Sequence, residues 1–184
     1  MNNSTSTADL YRDALDFACK AHNEQKMPAS ELPYFLHISE VMTETLLAFQ
    51  ETNDKNLNQN LGVLVAILHD TVEDTSVTLE EIEKQFGKIV KNGVWAMTKD
   101  ERLPKEEQMN DSLEKLLKEP IEVQFVKLAD RIVNLKDPPY YWNLEKRQKY
   151  QKEAKIILEK LGKANLYLAN RLSEKIREYE QYFV

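Results

Sequence analysis

Apolar residues recur at helical spacing along nearly the whole chain, and this pattern limits the possible folds more than any other feature of the sequence. In the first segment, residues spaced three or four apart, which lie on one face of a helix, are apolar: Leu10, Ala14, Phe17, Ala18 and Ala21. No segment shows the sustained alternation of apolar and polar residues that indicates a half-buried strand. Only 4 Gly and 6 Pro are present, which disfavours a loop-rich β fold. The sequence therefore predicts an all-α bundle.

The length of 184 residues suits one domain with a single sizeable core. The pattern predicts helices near 10–21, 36–50, 58–72, 78–86, 88–97, 111–119, 120–136 and 144–161. Thr78 and Glu81 form a capping-box pattern, and Gly87 is a typical helix-terminating residue. The charged segment 98–111 is expected to be mobile. A last helix carries the apolar stripe Leu166, Ala169, Leu172, Ile176, Tyr179 and Phe183, which suits packing within the chain or across a homodimer.

The net charge of −6 gives no electrostatic reason to expect nucleic acid or an anionic membrane as partner. No run of 18 apolar residues is present, so we expect no membrane crossing. The first ten residues lack the basic and apolar regions of a secretory signal, and the single Cys19 fits a reducing compartment. These features predict a cytoplasmic protein with neither nucleic acid nor membrane as partner. A polyanionic substrate would need a local basic patch or a metal.

The segment "VAILHDTVEDTS" (65–76) leads a buried-looking apolar run directly into His69, Asp70, Glu73 and Asp74. The three acids are spaced to share one helix face, where like charges repel each other. Acids near a helix C-terminus also oppose the helix dipole. A divalent cation would turn this repulsion into attraction. The residues alone leave two interpretations open, a solvated acidic helix end or a metal site that holds a water.

A second cluster of polar residues lies inside "FVKLADRIVNLKD" (125–137), a helix that is apolar almost all round and hence buried. Asp130 and Asn134 lie one turn apart within it, and a buried carboxylate needs a partner. Arg131 could serve as that partner in a purely structural role. The alternative is a metal that Asp130 shares with His37 and with the histidine–aspartate pair at 69–70. His37 alone would more often be a core histidine than a ligand.

Three segments carry a family resemblance: "LPYFLHISEVM", "LVAILHDTVEDTSVTLEEIEKQFGKIV" and "VKLADRIVNL". They resemble the HD-type hydrolase domain of the RelA/SpoT family, in particular the small alarmone hydrolases. The resemblance covers roughly residues 8–136, with the helices over 144–182 expected to pack on this region in one HD phosphohydrolase domain spanning 1–184. It implies an all-helical fold, one Mn²⁺ ion, and removal of the 3′-pyrophosphate from guanosine tetra- and pentaphosphate, (p)ppGpp.

The resemblance also implies roles for individual residues. The implied metal ligands are His37, His69, Asp70 and Asp130. The implied catalytic pair is Glu73 and Asp74, one of which would take a proton from the attacking water; the sequence leaves open which one. The implied substrate-binding residue in the nucleotide pocket is Asn134. Lys26, Lys99 and Arg102 are candidates for neutralising substrate charge, and of these Lys99 matches the lysine that follows this helix in the family.

One difference from the family pattern motivates alternative functions. The family has an arginine-rich stretch before its first loop, whereas this chain has "EQKMPAS" with Lys26 and no arginine. Arginine and lysine are not equivalent at a stacking site. The alternatives are an HD phosphohydrolase for another phosphorylated nucleotide, such as a nucleotide or NADPH phosphatase, and a catalytically silent nucleotide-binding HD domain.

Overall fold

The computed structural model describes residues 6–184, and the regular secondary structure in this range is helical apart from one isolated β-bridge between Lys26 and Pro33. The α-helices are α1 (Thr7–Ala21), α2 (Phe35–Thr52), α3 (Gln59–Leu68), α4 (Thr71–Asp74), α5 (Leu79–Phe86), α6 (Lys88–Met97), α7 (Lys105–Leu116), α8 (Ile121–Asn134), α9 (Leu144–Leu161) and α10 (Leu166–Glu178). Two 3₁₀ turns span Gly162–Ala164 and Tyr179–Tyr182. The all-α prediction is confirmed for these residues. Residues 1–5 lie outside the described range. They belong to the predicted domain and to the N-terminal segment that the sequence predicts is not a secretory signal.

Helices α3 and α8 form the centre of the bundle. Every residue from 61 to 68 is buried, because α3 packs against α1, α2, α6 and α8. Helix α8 in turn packs against α2, α9 and α10. The residues that follow α3 and the polar residues within α8 therefore emerge from the most buried part of the protein.

The sequence pattern predicts one helix over 58–72, and this prediction is wrong because the helix ends at Leu68. Nδ1 of His69 lies 2.9 Å from the carbonyl oxygen of Ala66, and the hydroxyl of Thr71 donates to the carbonyl oxygen of Leu68 at 2.7 Å. In a continuous helix these carbonyls would accept from backbone amides four residues later. Side chains compete with the backbone here, so the chain turns at 69–70 and restarts as α4.

The charged segment over 98–111, which the sequence predicts to be mobile, is helical from Lys105 onward, where α7 begins directly after Pro104. Glu106 and Glu107 lie in the first turn of α7, where negative charge is favourable. Leu113 and Leu116 bury the inner face of this helix. The capping box of Thr78 and Glu81 that begins α5 is present as predicted, and Gly87 ends α5 with a positive φ of 88°.

Helix α10 packs within the chain, against α8, α9 and α2. Of its predicted stripe, Leu172, Ile176 and Tyr179 are buried. Leu166 is 75% exposed, and Leu168 is buried in its place. The side chain of Asn165 accepts from the amide of Leu168, and this cap leaves Leu166 at the solvent-facing start of the helix. Among the described residues, no helix combines the length and apolar character needed to cross a membrane.

Candidate metal centre and its acidic neighbours

Four side chains from three parts of the fold converge at the end of α3. Nε2 of His37, on α2, lies 3.3 Å from Nε2 of His69. Oδ2 of Asp70 lies 2.9 Å from the same atom of His69 and 3.4 Å from that of His37. Oδ1 of Asp130, on α8, lies 3.5 Å from Nε2 of His37 and 4.0 Å from Nε2 of His69. Two imidazole nitrogens and two carboxylates thus face one small volume.

The burial and orientation of the two histidines suit a metal site. Both are 1% exposed. The contact between Nδ1 of His69 and the carbonyl of Ala66 places a proton on Nδ1, because a carbonyl oxygen only accepts. Nε2 of His69 is then free to present a lone pair to the cluster. Nδ1 of His37 is buried and has no hydrogen-bond partner among residues 6–184.

The cluster requires positive charge. Burial lowers the pKa of His37, but hydrogen bonds and charge from Asp130 and Asp70 outweigh it and raise this pKa to about 9. Burial has the opposite effect on a carboxyl group and raises the pKa of Asp70. The charge and hydrogen bonds of His69 and His37 outweigh this effect and lower the pKa of Asp70 well below the usual range. A divalent cation could supply the same compensation as the protons held by the imidazoles. Nitrogen and carboxylate donors in this number fit such an ion, and His37, His69 and Asp70 form a group with metal-binding spacing.

Asp130 has two further partners, both on its own helix. Its Oδ1 accepts from Nδ2 of Asn134 at 2.5 Å, and its Oδ2 accepts from Nζ of Lys127 at 3.3 Å. The guanidinium of Arg131 lies instead over the ring of Tyr150, 4.3 Å from its centroid. The structural alternative, in which Arg131 pairs with Asp130, is therefore not what the fold contains. The predicted contact of Asn134 with a nucleotide stays a prediction.

The three acids at 70, 73 and 74 have three different partners; the first precedes α4, and the other two lie within it. Asp70 faces the histidines. Glu73 accepts from Nζ of Lys99 at 2.5 Å and from the backbone amide of the same lysine at 2.9 Å. Oδ2 of Asp74 accepts from Nε2 of Gln25 at 3.1 Å. Partial burial and the neighbouring Asp70 raise the pKa of Asp74, which remains open to solvent on one side.

Tyr34 belongs to this site, although the sequence analysis did not identify it. Its hydroxyl donates to Oδ2 of Asp70 at 2.6 Å, and its ring lies between those of His22 and His37 with centroid distances of 5.1 Å and 5.2 Å. Burial and the charge of Asp70 raise the pKa of Tyr34, which keeps the phenol protonated as a donor. Its position three residues before His37 is the only signal in the sequence, and it does not reveal the contact.

The three predicted basic residues differ in placement. Lys99 lies beside Glu73, and its pKa is raised because Glu73, Asp130 and Asp70 outweigh the effect of burial. Lys26 forms an ion pair with Glu31 in the loop before α2. Arg102 is 89% exposed and makes a two-point contact with Asp100. The fold brings only Lys99 to the acidic neighbours of the cluster.

A groove of about 1240 Å³ is lined by residues that are close in sequence to some of the site residues, but none of the four converging residues lines it. One wall is the loop over 27–32 with the outer face of α2. The other is the end of α8, the connector over 135–140 and the outer face of α10. The groove meets α8 at Ile132 and Val133, which flank Asn134 on its N-terminal side.

Comparison with known proteins places this geometry in context. The model of a family described as HD domain matches residues 14–166. The chain is 32% identical over 181 residues to the Drosophila melanogaster protein guanosine-3′,5′-bis(diphosphate) 3′-pyrophosphohydrolase MESH1, covering 95% of this chain and 97% of that protein. It is 30% identical to the Homo sapiens protein of the same name, covering 94% of this chain and 96% of that protein.

Two solved structures resemble the fold. One, described as a metazoan ortholog of SpoT that hydrolyzes ppGpp, superposes with a TM-score of 0.81 at 29% identity and covers 98% of this chain and all of that one. The other, from Listeria monocytogenes, has a TM-score of 0.60 at 19% identity over 84% of this chain, and its likeness concerns the fold alone.

Proposed function

The chain belongs to the HD domain family of metal-dependent hydrolases, and we propose that it removes the 3′-pyrophosphate from ppGpp and pppGpp. The observation that carries the proposal is the convergence of His37, His69, Asp70 and Asp130 in a chain that matches the MESH1 proteins over nearly its whole length. The products would be pyrophosphate with GDP or GTP. Lowering of the alarmone concentration in the stringent response would be the physiological result, and a cytoplasmic location is part of the same proposal.

The four converging side chains would hold one divalent ion, which we propose to be Mn²⁺. Carboxylate oxygens suit Mn²⁺, and imidazole nitrogens are acceptable to it. Such an ion would lower the pKa of a bound water and offset the negative charge of the phosphate oxygens. The chain contributes the buried setting of the two histidines and the hydrogen bond that orients Asp70.

Asp74 is the better candidate for the general base. Its raised pKa gives it a stronger affinity for the proton of the attacking water, and its exposure leaves it open to a water molecule. Glu73 is held by Lys99 through two hydrogen bonds, so it is suited to fixing the lysine rather than to accepting a proton. The ammonium of Lys99 would lie close to the acids and would neutralise charge on the pyrophosphate. Asn134, bound to Asp130, would face the nucleotide.

A second candidate is an HD phosphohydrolase that acts on another phosphorylated nucleotide, such as a nucleotide or NADPH phosphatase. The supporting observation concerns the other two cations predicted to bind substrate. Lys26 is paired with Glu31 and Arg102 with Asp100, so neither is free to bind a phosphate group. A catalytically silent domain is less well supported, because the proposed donors and both catalytic acids are present.

The test is release of pyrophosphate from ppGpp and pppGpp by the purified protein with added Mn²⁺, and with EDTA as the metal-free control. Metal-dependent release together with GDP or GTP is expected. A protein that retains Mn²⁺ but releases nothing from either alarmone would contradict the substrate assignment. A panel of phosphorylated nucleotides including NADPH would then test the second candidate, and a comparison of Mg²⁺, Zn²⁺ and Mn²⁺ tests the metal.

A further inference from the structure

A chain of hydrogen bonds connects a buried histidine outside the metal centre to the proposed base. Nδ1 of His22 lies 2.5 Å from Oε1 of Gln25, and Nε2 of Gln25 donates to Oδ2 of Asp74 at 3.1 Å. His22 is 3% exposed at the end of α1, whereas Asp74 is the last residue of α4. Two segments that are 49 residues apart in sequence thus meet through one glutamine.

The chemistry of the groups gives this chain a direction. A carboxylate only accepts hydrogen bonds, so the amide nitrogen of Gln25 must face Asp74. The amide oxygen of Gln25 then faces His22, whose Nδ1 must carry the proton that it donates. If the amide were turned around, two oxygens would face each other at Asp74 and two donors would meet at His22. With its proton on Nδ1, His22 therefore favours the same amide orientation as Asp74 does, the one in which Gln25 donates to the carboxylate.

The loop between α1 and α2 keeps the glutamine in place. The amide of Tyr34 donates to the carbonyl of Gln25 at 2.8 Å, and the amide of Met27 donates to the carbonyl of Leu32 at 2.9 Å. The ring of His22 lies 5.1 Å from that of Tyr34, tilted by 30°. The same loop thus carries the donor to Asp74 and, through Tyr34, the donor to Asp70.

We propose that Gln25 is a positioning residue that fixes the proposed base Asp74, and that His22 acts through it by fixing the orientation of the glutamine amide. Neither residue touches the reacting atoms. The catalytic part of this proposal rests on the proposed function. The structural part, in which His22 sets the amide of Gln25, does not.

Two substitutions of His22 separate the nitrogen that matters from the one that does not. In His22→Asn the side-chain amide can place a donor where Nδ1 stands, whereas in His22→Gln the amide reaches only the position of Nε2. Gln25→Glu keeps the shape of the side chain but replaces the donor to Asp74 with a carboxylate. Gln85→Glu, on the exposed face of α5, makes the same charge change away from the site and serves as the control.

Kinetics with ppGpp and Mn²⁺ measure the catalytic part. We expect Gln25→Glu to lower kcat by about 10- to 100-fold, the factor that corresponds to the loss of one hydrogen bond to a charged group. KM, metal content and thermal midpoint should change little, so that the loss falls on kcat. His22→Gln should also lower kcat, whereas His22→Asn should keep most of the wild-type kcat. Full kcat in Gln25→Glu, or equal loss in both His22 variants, would overturn the proposal.

An NMR measurement decides the structural part without any substrate. Protein labelled with ¹⁵N at glutamine side-chain amides gives a Gln25 signal that Gln25→Glu identifies by its absence. This signal should shift in Asp74→Asn and in His22→Gln, and should stay near its wild-type position in His22→Asn. If wild-type protein did not hydrolyse ppGpp, the proposed function would fail while these shifts still supported the contact. An unchanged Gln25 signal in His22→Gln would overturn the role of His22.

Discussion

The hydroxyl of Tyr34 donates a 2.6 Å hydrogen bond to Oδ2 of Asp70, the same oxygen that lies 2.9 Å from Nε2 of His69. The loop before α2 thereby fixes the rotation of a carboxylate that follows α3. The phenol stays neutral because burial and the charge of Asp70 both raise its pKa. Tyr34 therefore orients this carboxylate without adding charge to the centre.

Replacement of Tyr34 by Phe should weaken metal binding while the fold remains intact. Among residues 6–184 the hydroxyl of Tyr34 is the only donor to the carboxylate of Asp70 outside the histidine pair, so its loss leaves the orientation of this carboxylate toward an ion less restricted. We expect affinity for Mn²⁺ to fall by about 10- to 100-fold, as for other partners of metal-binding side chains. Titration calorimetry measures this. Tyr11→Phe, which removes a hydroxyl bonded to Asn60 at 2.7 Å, is the matched control and should leave affinity unchanged. Equal affinity in the two variants would contradict the role of Tyr34.

Substitution of Asp130 by Asn should abolish both metal retention and turnover. The amide has nearly the same shape as the carboxylate, so folding is a smaller concern than with Ala, but it brings no negative charge to the ion. Metal analysis of the purified variant, alongside pyrophosphate release, measures both effects. Asp16→Asn, on the exposed face of α1, is the control. An Asp130→Asn protein that kept its metal and its full activity would remove this residue from the proposed ligand set.

Lys99 and Arg102 offer a contrast between two nearby cations. Lys99→Met removes the cation that pairs with Glu73. We expect kcat to fall by at least about tenfold, because removal of a group that stabilises charge in a transition state typically costs about 100-fold or more. Arg102→Met removes only an exposed contact with Asp100, and such pairs contribute little. Comparing kcat and KM of the two variants measures the difference. A larger loss in Arg102→Met would mean that the loop over 98–104 moves when substrate binds.

The need of these polar residues for partners could be predicted because burial can be read from the sequence, whereas their assignment as one set of metal ligands came from the family resemblance. His69 and Asp70 follow a helix with no polar side, and Asp130 interrupts another, so each polar group had to find a partner in the core. The break in the helix after Leu68 could not be predicted, because it depends on side chains that replace backbone donors, and apolar periodicity does not record this competition.

The surroundings of the centre were harder to predict for a different reason. Tyr34 and Gln25 come from an irregular loop whose course depends on its own backbone pairing, and no periodic pattern describes such a loop. The bonding of Lys26 could not be predicted from its charge, because Glu31 in the same loop competes for it. The sequence identified the basic residues, but it could not predict which acidic residue each one pairs with in the fold.

Gly93 marks a close contact between α6 and α3 that stability measurements can test. A Cβ at this position would lie 2.6 Å from Cγ2 of Val65 and 3.2 Å from Cγ2 of Val123, both in the core. Because β-branched side chains in a packed core have little room to move, Gly93→Ala should destabilise the fold by about 1–3 kcal/mol. Gly162→Ala is the control, since its φ is −60° and the added Cβ would meet the flexible end of Leu158 at 3.2 Å. Denaturant unfolding compares the two. Equal stabilities would show that the α3–α6 contact relaxes without cost.

Metal binding should release protons, and the number released should fall as the pH rises. In the metal-free fold the pKa of His37 is raised to about 9, above its ordinary value of 6.5, so the imidazole is protonated at neutral pH. An ion needs the neutral form, hence apparent affinity should rise by up to about tenfold per pH unit between pH 6.5 and 9 and then level off. The folding stability of the metal-free protein should change with pH in the opposite direction. The proton on His37 stabilises the fold fully below about pH 6.5, and this contribution is lost as the pH rises through about 9. Titrating Mn²⁺ into the protein in buffers of different ionisation enthalpy counts the protons. No proton released at pH 6.5, or a full proton still released at pH 10, would contradict the assignment of His37.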